Sequence, residues 1–220
     1  MPIADRRTYL ADITKILRTH WPQNRTVNII CHGHSVPAGY FATPMVDTFH
    51  AYPHLLHRGL KERFPYAVLN VIVTARGGEH SAAGAERFEA EVLCHRPDIV
   101  MIDYGLNDRG IGLDAARQAW TLMMEAALQR GARVILLTPT MDQWQARDDA
   151  PPDRRTLPQH AEQIRRLAES HGVGLSDTFA AWEAWMRTGD LNNLLSWSNH
   201  PNTKGHDLVA TELLRWFPAA

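Results

Sequence analysis

The chain predicts an α/β fold: a three-layer α/β/α sandwich around a five-stranded parallel sheet. Three observations carry that expectation. Apolar runs of strand length alternate strictly with amphipathic stretches of helix length, and consecutive parallel strands need such crossover connections. The strand-like runs number five, whereas a closed α/β barrel needs eight. At 220 residues the chain is long enough for one substantial core and short for two ordinary domains, so residues 1–220 are expected to form a single domain.

Each element has its own local reason. "TYLADITKILRTHW" (8–21) places Leu10, Ile13, Ile16 and Leu17 on one helical face, so residues 1–26 read as a helical extension packed on the domain. "TVNIICHG" (26–33) is β-branched, apolar and closed by glycine, the signature of a short buried strand. The alternation then repeats: helix 52–64, strand 67–73, helix 81–95, strand 97–105, helix 113–131, strand 132–140, helix 156–172, strand 173–178. Gly131 and Gly172 stand where helix C-caps belong. "FAAWEAWMRTG" and "TKGHDLVATELLRWF" read as the closing helices.

Composition narrows the function classes. Hydrophobic residues at 45% and charged residues at 21% describe a globular protein, and a formal net charge of −1 gives no field that would attract nucleic acid. The N-terminal stretch lacks the apolar core of a signal peptide, and no run approaches a membrane span, so a cytoplasmic protein is expected. Cys31 and Cys94 sit in apolar contexts and read as buried free thiols. Most of the twelve histidines read as residues of solvated helix faces.

In open α/β sheets a site lies beyond the carboxyl ends of the strands, which directs attention to residues 32–46, 74–81, 104–112, 138–157 and the turn before the last helix. These segments carry Gly33-His34-Ser35, "ARGGEHS" (75–81), Tyr104-Gly105-Leu106-Asn107-Asp108 and Asn199-His200-Pro201-Asn202. The fourth, "TPTMDQWQARDDAPPDRR", is long enough to wall a pocket or to be a mobile surface loop. A serine becomes nucleophilic beside a base, and an imidazole is the usual one. A glycine N–H and an asparagine amide suit a developing oxyanion, because neither changes protonation. The Gly33-x-Ser35-x-Pro37 run lacks the second glycine of a nucleophile elbow.

These four blocks resemble those of the SGNH (GDSL-type) hydrolases, from about residue 27 to the end. The resemblance implies a flavodoxin-like sandwich and a serine esterase or acylhydrolase that needs no cofactor and no metal. Ser35 would be the nucleophile and His200 its base; Gly78 (with Gly77 as neighbouring competitor), Asn107 and the Ser35 N–H would form the oxyanion hole. The substrate would be a small ester, with an acetylated carbohydrate preferred if Trp182, Trp185 and Trp197 offer a stacking platform instead of core. Two positions depart from the family pattern. His34 replaces the aspartate of the first block, and Trp197 stands where the triad acid belongs, three residues before His200. The Trp197 main-chain carbonyl is therefore expected to orient His200 and to leave its pKa near the ordinary value of about 6.5. Asp177 is a rival acid, though capping of the following helix is its simpler role. Asp108 is expected to prop its loop, and His206 to be structural. Two other readings remain: a metal-dependent hydrolase using His32 and His34, and a catalytically silent binding module.

Overall fold

The computed structural model describes residues 2–218, so positions 1, 219 and 220 of the expected domain lie outside the described residues. Its centre is a parallel five-stranded sheet of β1 (Thr26–Gly33), β2 (Val68–Val73), β3 (Ile99–Asp103), β4 (Arg133–Leu137) and β5 (Gly174–Ser176), in the order β2-β1-β3-β4-β5. The helices are α1 (Ala11–Arg18), α2 (Ser35–Ala38), α3 (Tyr52–Arg63), α4 (Ser81–Glu86), α5 (Phe88–Glu91), α6 (Gly112–Gln129), α7 (Leu157–His171), α8 (Thr178–Met186) and α9 (Thr203–Leu214).

The central strands are buried on both faces, and their period of two divides the core. Val27, Ile29 and Cys31 of β1, Ile99 and Met101 of β3, and Ile135 and Leu137 of β4 join the core formed with α1, α3, α8 and α9. The residues between them, Ile30, Val100, Ile102, Val134 and Leu136, join the opposite core with α5, α6 and α7. Helix α1 is shorter than the spacing suggests, yet Ile13 and Leu17 are buried in the first of these cores. The helix expected over 81–95 is broken at Arg87, whose backbone (φ −101°, ψ 1°) leaves the helical region and whose side chain is drawn inward.

The chain leaves β1 toward β2 on one side and later enters β3 on the other, so the order reverses between β1 and β3. Their carboxyl ends lie side by side with Gly33 opposite Asp103, and a Cβ on Gly33 would collide with the Asp103 carbonyl oxygen. A crevice opens at such a switch point. Among the described residues no helix is long and apolar enough to cross a membrane. Cys31 is a buried free thiol as expected, but the Cys94 thiol is exposed, because its 3₁₀ turn (Leu93–His95) directs Leu93 into the core instead.

Candidate active site

Residues 33–35 turn sharply out of β1, and Ser35 becomes the first residue of α2. His34 caps that helix: its Nδ1 accepts the Val36 N–H at 3.2 Å. That leaves its proton on Nε2, which faces Asp103 Oδ1 at 3.5 Å inside the protein.

The other end of the chain meets this turn. Ser196 N–H donates to the His200 carbonyl at 2.9 Å, and Asn202 N–H donates to the Leu194 carbonyl at 2.8 Å, closing a tight loop around Pro201. Asn202 then caps α9 through its side chain, accepting from Gly205 N–H at 3.1 Å. His200 is thereby held with its Nε2 at 3.0 Å from Ser35 Oγ, across 165 positions of sequence. Its Nδ1 lies 2.7 Å from a main-chain carbonyl, that of Phe41.

A carbonyl oxygen can only accept, so Phe41 fixes the His200 proton on Nδ1 and leaves the Nε2 lone pair for the Ser35 hydroxyl to donate to. The orienting group is thus a main-chain carbonyl, but not that of Trp197. Trp197 sits at the exposed outside of the closing loop, whereas residues 40–46 form a small hairpin, with Phe41 N–H donating to the Met45 carbonyl at 3.0 Å, that delivers the Phe41 carbonyl to the ring. Burial pulls the His200 pKa below its ordinary value, the Phe41 hydrogen bond opposes this, and the nearby His34 adds to the lowering. The expected ordinary pKa is therefore corrected downward.

Asp177 is occupied elsewhere. Its carboxylate accepts from Arg165 Nε at 2.8 Å, Thr138 Oγ1 at 2.9 Å and Ala180 N–H at 3.2 Å, which makes it the cap of α8. Burial raises its pKa, but Arg165 and the Ala180 N–H together outweigh this and hold it below the usual range. Asp142, at the start of the long loop, pairs with the buried Arg109 at 2.7 Å. That loop is fastened on two sides, since Gln143 N–H also donates to the Ser198 carbonyl at 2.8 Å, beside His200.

The expected oxyanion donors come from the neighbouring loops. Gly78 has φ +77° and open space where a Cβ would be, and among the described residues its N–H has no hydrogen-bond partner. Gly77 lies instead against the Tyr40 ring. Asn107 Nδ2 donates one proton to the Glu79 carbonyl at 2.9 Å and keeps the other. Asp108 props these loops, accepting from the Ser81 N–H at 2.8 Å and from Trp120 Nε1 at 2.6 Å. His206 is structural: fully buried, it accepts the Tyr52 N–H at 3.2 Å, and burial takes its pKa to about 3.

The His32/His34 pair does not form an open ligand set. His32 Nδ1 accepts from Thr74 Oγ1 at 2.9 Å and its Nε2–H faces Tyr104 Oη at 3.1 Å, while His34 caps α2. Burial brings the His32 pKa to about 4, so the ring is neutral. Of the three tryptophans considered as a platform, Trp182 is fully buried and Trp185 half-buried against Lys204, so Trp197 alone is exposed. Phe41 and Glu79, which contribute carbonyls, went unseen in the sequence because a main-chain acceptor leaves no residue-type signal.

A Ser–His pair at the switch point of a parallel sheet, flanked by glycine and asparagine donors, defines the chain as a three-layer α/β/α protein of the SGNH type. The model of the GDSL-like Lipase/Acylhydrolase family matches residues 31–208, and the chain belongs to that family. An acetylxylan esterase of Geobacillus stearothermophilus is 29% identical over 144 residues, 59% of this chain and 63% of the relative, so the match spans less than two thirds of that protein. The crystal structure of Axe2, an acetylxylan esterase from the same organism, superposes with a TM-score of 0.75 at 22% identity, covering 87% of this chain and 94% of that one. LAE5, an α/β hydrolase enzyme from the metagenome of Lake Arreo, Spain, gives 0.74 at 21% identity, covering 87% and 94%. Catalytic mutants of Axe2 replace a serine, a histidine and an aspartate.

Proposed function

We propose that this chain is a serine esterase that cleaves carboxylic esters through an acyl-enzyme, with an acetylated carbohydrate as the favoured substrate. The observation that carries the reading is the hydrogen-bonded line from Ser35 Oγ to His200 Nε2 and from His200 Nδ1 to the Phe41 carbonyl. In this reading Ser35 Oγ attacks the acyl carbon as Nε2 takes the hydroxyl proton. Gly78 N–H, Ser35 N–H and the free Asn107 Nδ2 proton meet the oxyanion of the tetrahedral intermediate. His200 then passes its proton to the leaving alcohol, and in the second half deprotonates the water that releases the acid. The Phe41 carbonyl stands where a triad would have a carboxylate, which makes the site a dyad.

The carbohydrate preference rests on the acetylxylan esterase relatives and on Trp197, whose exposed ring stands three residues from the base. Two free cysteines, one of them exposed, fit a reducing compartment and hence a cytoplasmic location. The cores that run without interruption from α1 to α9 support one domain. The test is a panel of acyl esters, acetylated sugars included, assayed with wild type and Ser35→Ala and paired with labelling by a serine-directed phosphonate. Hydrolysis and labelling that both require Ser35 support the esterase. A wild-type chain that neither turns over an ester nor takes up the phosphonate is a silent binding module, and the proposal falls.

A further inference from the structure

The oxyanion loops contain a buried ion pair that the reaction as written does not use. Glu79 follows Gly78 directly, and its main-chain carbonyl holds the Asn107 amide at 2.9 Å. Its carboxylate turns inward. Oε1 accepts from Arg87 Nε at 2.8 Å, while Oε2 accepts from Arg87 Nη2 and, at 2.7 Å, from the Tyr104 hydroxyl. Both partners of the ion pair are nearly buried, with side-chain exposures of 9% each. Burial works to raise the Glu79 pKa, but the Arg87 and Tyr104 hydrogen bonds hold it below the usual range, and burial keeps the Tyr104 hydroxyl protonated as a donor.

These contacts close a circuit. Tyr104 holds the Glu79 carboxylate with its hydroxyl, and with its main-chain carbonyl it accepts the Asn107 N–H at 3.0 Å. Glu79 in turn holds the Asn107 side chain. His32 backs the hydroxyl from β1 at 3.1 Å, and Gly84 makes room for it, since a Cβ there would occupy the same space. Gly78 most needs such fastening: nothing packs where its Cβ would be, and its φ of +77° is open to glycine's wide conformational range. It is held from both sides, by Arg76, whose N–H donates to the Gly33 carbonyl of β1 at 3.0 Å, and by Glu79, whose carboxylate is held by Tyr104 just beyond β3. A buried ion pair adds little stability over an apolar replacement, so a fixed geometry is the better account of it.

We propose that Glu79, clamped by Arg87 and Tyr104, is a positioning residue that sets the Gly78 N–H and the Asn107 amide at a fixed separation for the oxyanion. This rests on the esterase reading above. Preorganised donors act on charge that appears only in the transition state, so loosening them lowers kcat and leaves KM.

The test places Glu79→Gln and Tyr104→Phe in the wild-type and Asn107→Ala backgrounds, with kinetics measured on the best ester of the panel well below each variant's Tm. Each substitution is expected to lower kcat by about 10-fold with KM within about twofold. In the Asn107→Ala background the further loss should shrink to about threefold or less, because residues that act through one another are not additive. General loss of packing would not produce that shrinkage. Wild-type kcat in folded Tyr104→Phe, or a loss undiminished by Asn107→Ala, overturns the clamp. If Glu79→Gln fails to fold, Tyr104→Phe, which deletes one hydroxyl, carries the same test alone. An active wild type with indifferent variants removes only the clamp, whereas an inert wild type with unlabelled Ser35 removes the esterase reading and the clamp with it.

Discussion

At the residue scale, the feature that most shapes expectation is an imidazole whose Nδ1 partner among the described residues is a main-chain carbonyl. Ser35→Ala should fold normally, since α2 keeps its His34 cap, and should lose nearly all esterase activity; residual turnover above a few per cent would point to another nucleophile. Asp177→Asn should keep most of the wild-type kcat, whereas the comparable change in an Asp-dependent triad costs about 10⁴-fold. The pH profile gives a third check. The base works unprotonated, and burial lowers its pKa, so kcat/KM should rise with pH along a limb whose midpoint lies below about 6.5. A limb at or above the ordinary value would mean that His200 has a charged partner in solution. The pairing of Ser35 with His200, the proposed nucleophile and base, could be read from the sequence because both are side chains in patterned blocks. Phe41 could not, since any residue offers the same carbonyl and the contact spans 159 positions.

At the element scale, the loops after the strands divide the work. Asn107→Ala, in the loop that follows β3, should reduce kcat by about 10²–10³-fold with a smaller effect on KM. A change confined to KM would make Asn107 a ground-state contact. The strands themselves were readable because doubly buried parallel strands have apolar runs of fixed length. The helix expected over 81–95 breaks for a physical reason: Ala85, Phe88 and Val92 keep a helical apolar spacing, but Arg87 is drawn to Glu79, and the pairing that breaks the helix lies outside the segment. The long segment 138–157 could be read either as wall or as mobile loop until its anchors were known. Asp142 and Gln143 tie it to the Asn107 loop and to the His200 turn respectively.

At the scale of the whole molecule, several histidines are buried uncharged. Burial lowers His32 and His160 to about 4 and His206 to about 3, the Arg109 guanidinium adding to the effect at His160. In the unfolded chain each would titrate near 6.5, so below that pH the unfolded state binds protons that the folded state refuses. Their contribution is therefore complete above about pH 6.5 and is lost as the pH falls toward 4 and then 3. Urea unfolding should show stability falling between pH 6 and 4.5 with a slope approaching about 1.4 kcal/mol per pH unit for each such histidine. His206→Gln should flatten that slope by roughly one proton, and an unchanged slope would show that His206 titrates normally in the fold.

The Phe41 carbonyl has a consequence for how this site can vary. A triad acid is a side chain and can be erased by one substitution, whereas a main-chain acceptor is present whatever side chain stands at position 41, provided the residue keeps the N–H that bonds to Met45. What it does not survive is a change in the number of residues between Tyr40 and Val46, which would shift a different peptide group opposite the imidazole. The steering of the base is thus written in chain length, a property tolerant of point substitution and vulnerable to a single-codon insertion or deletion.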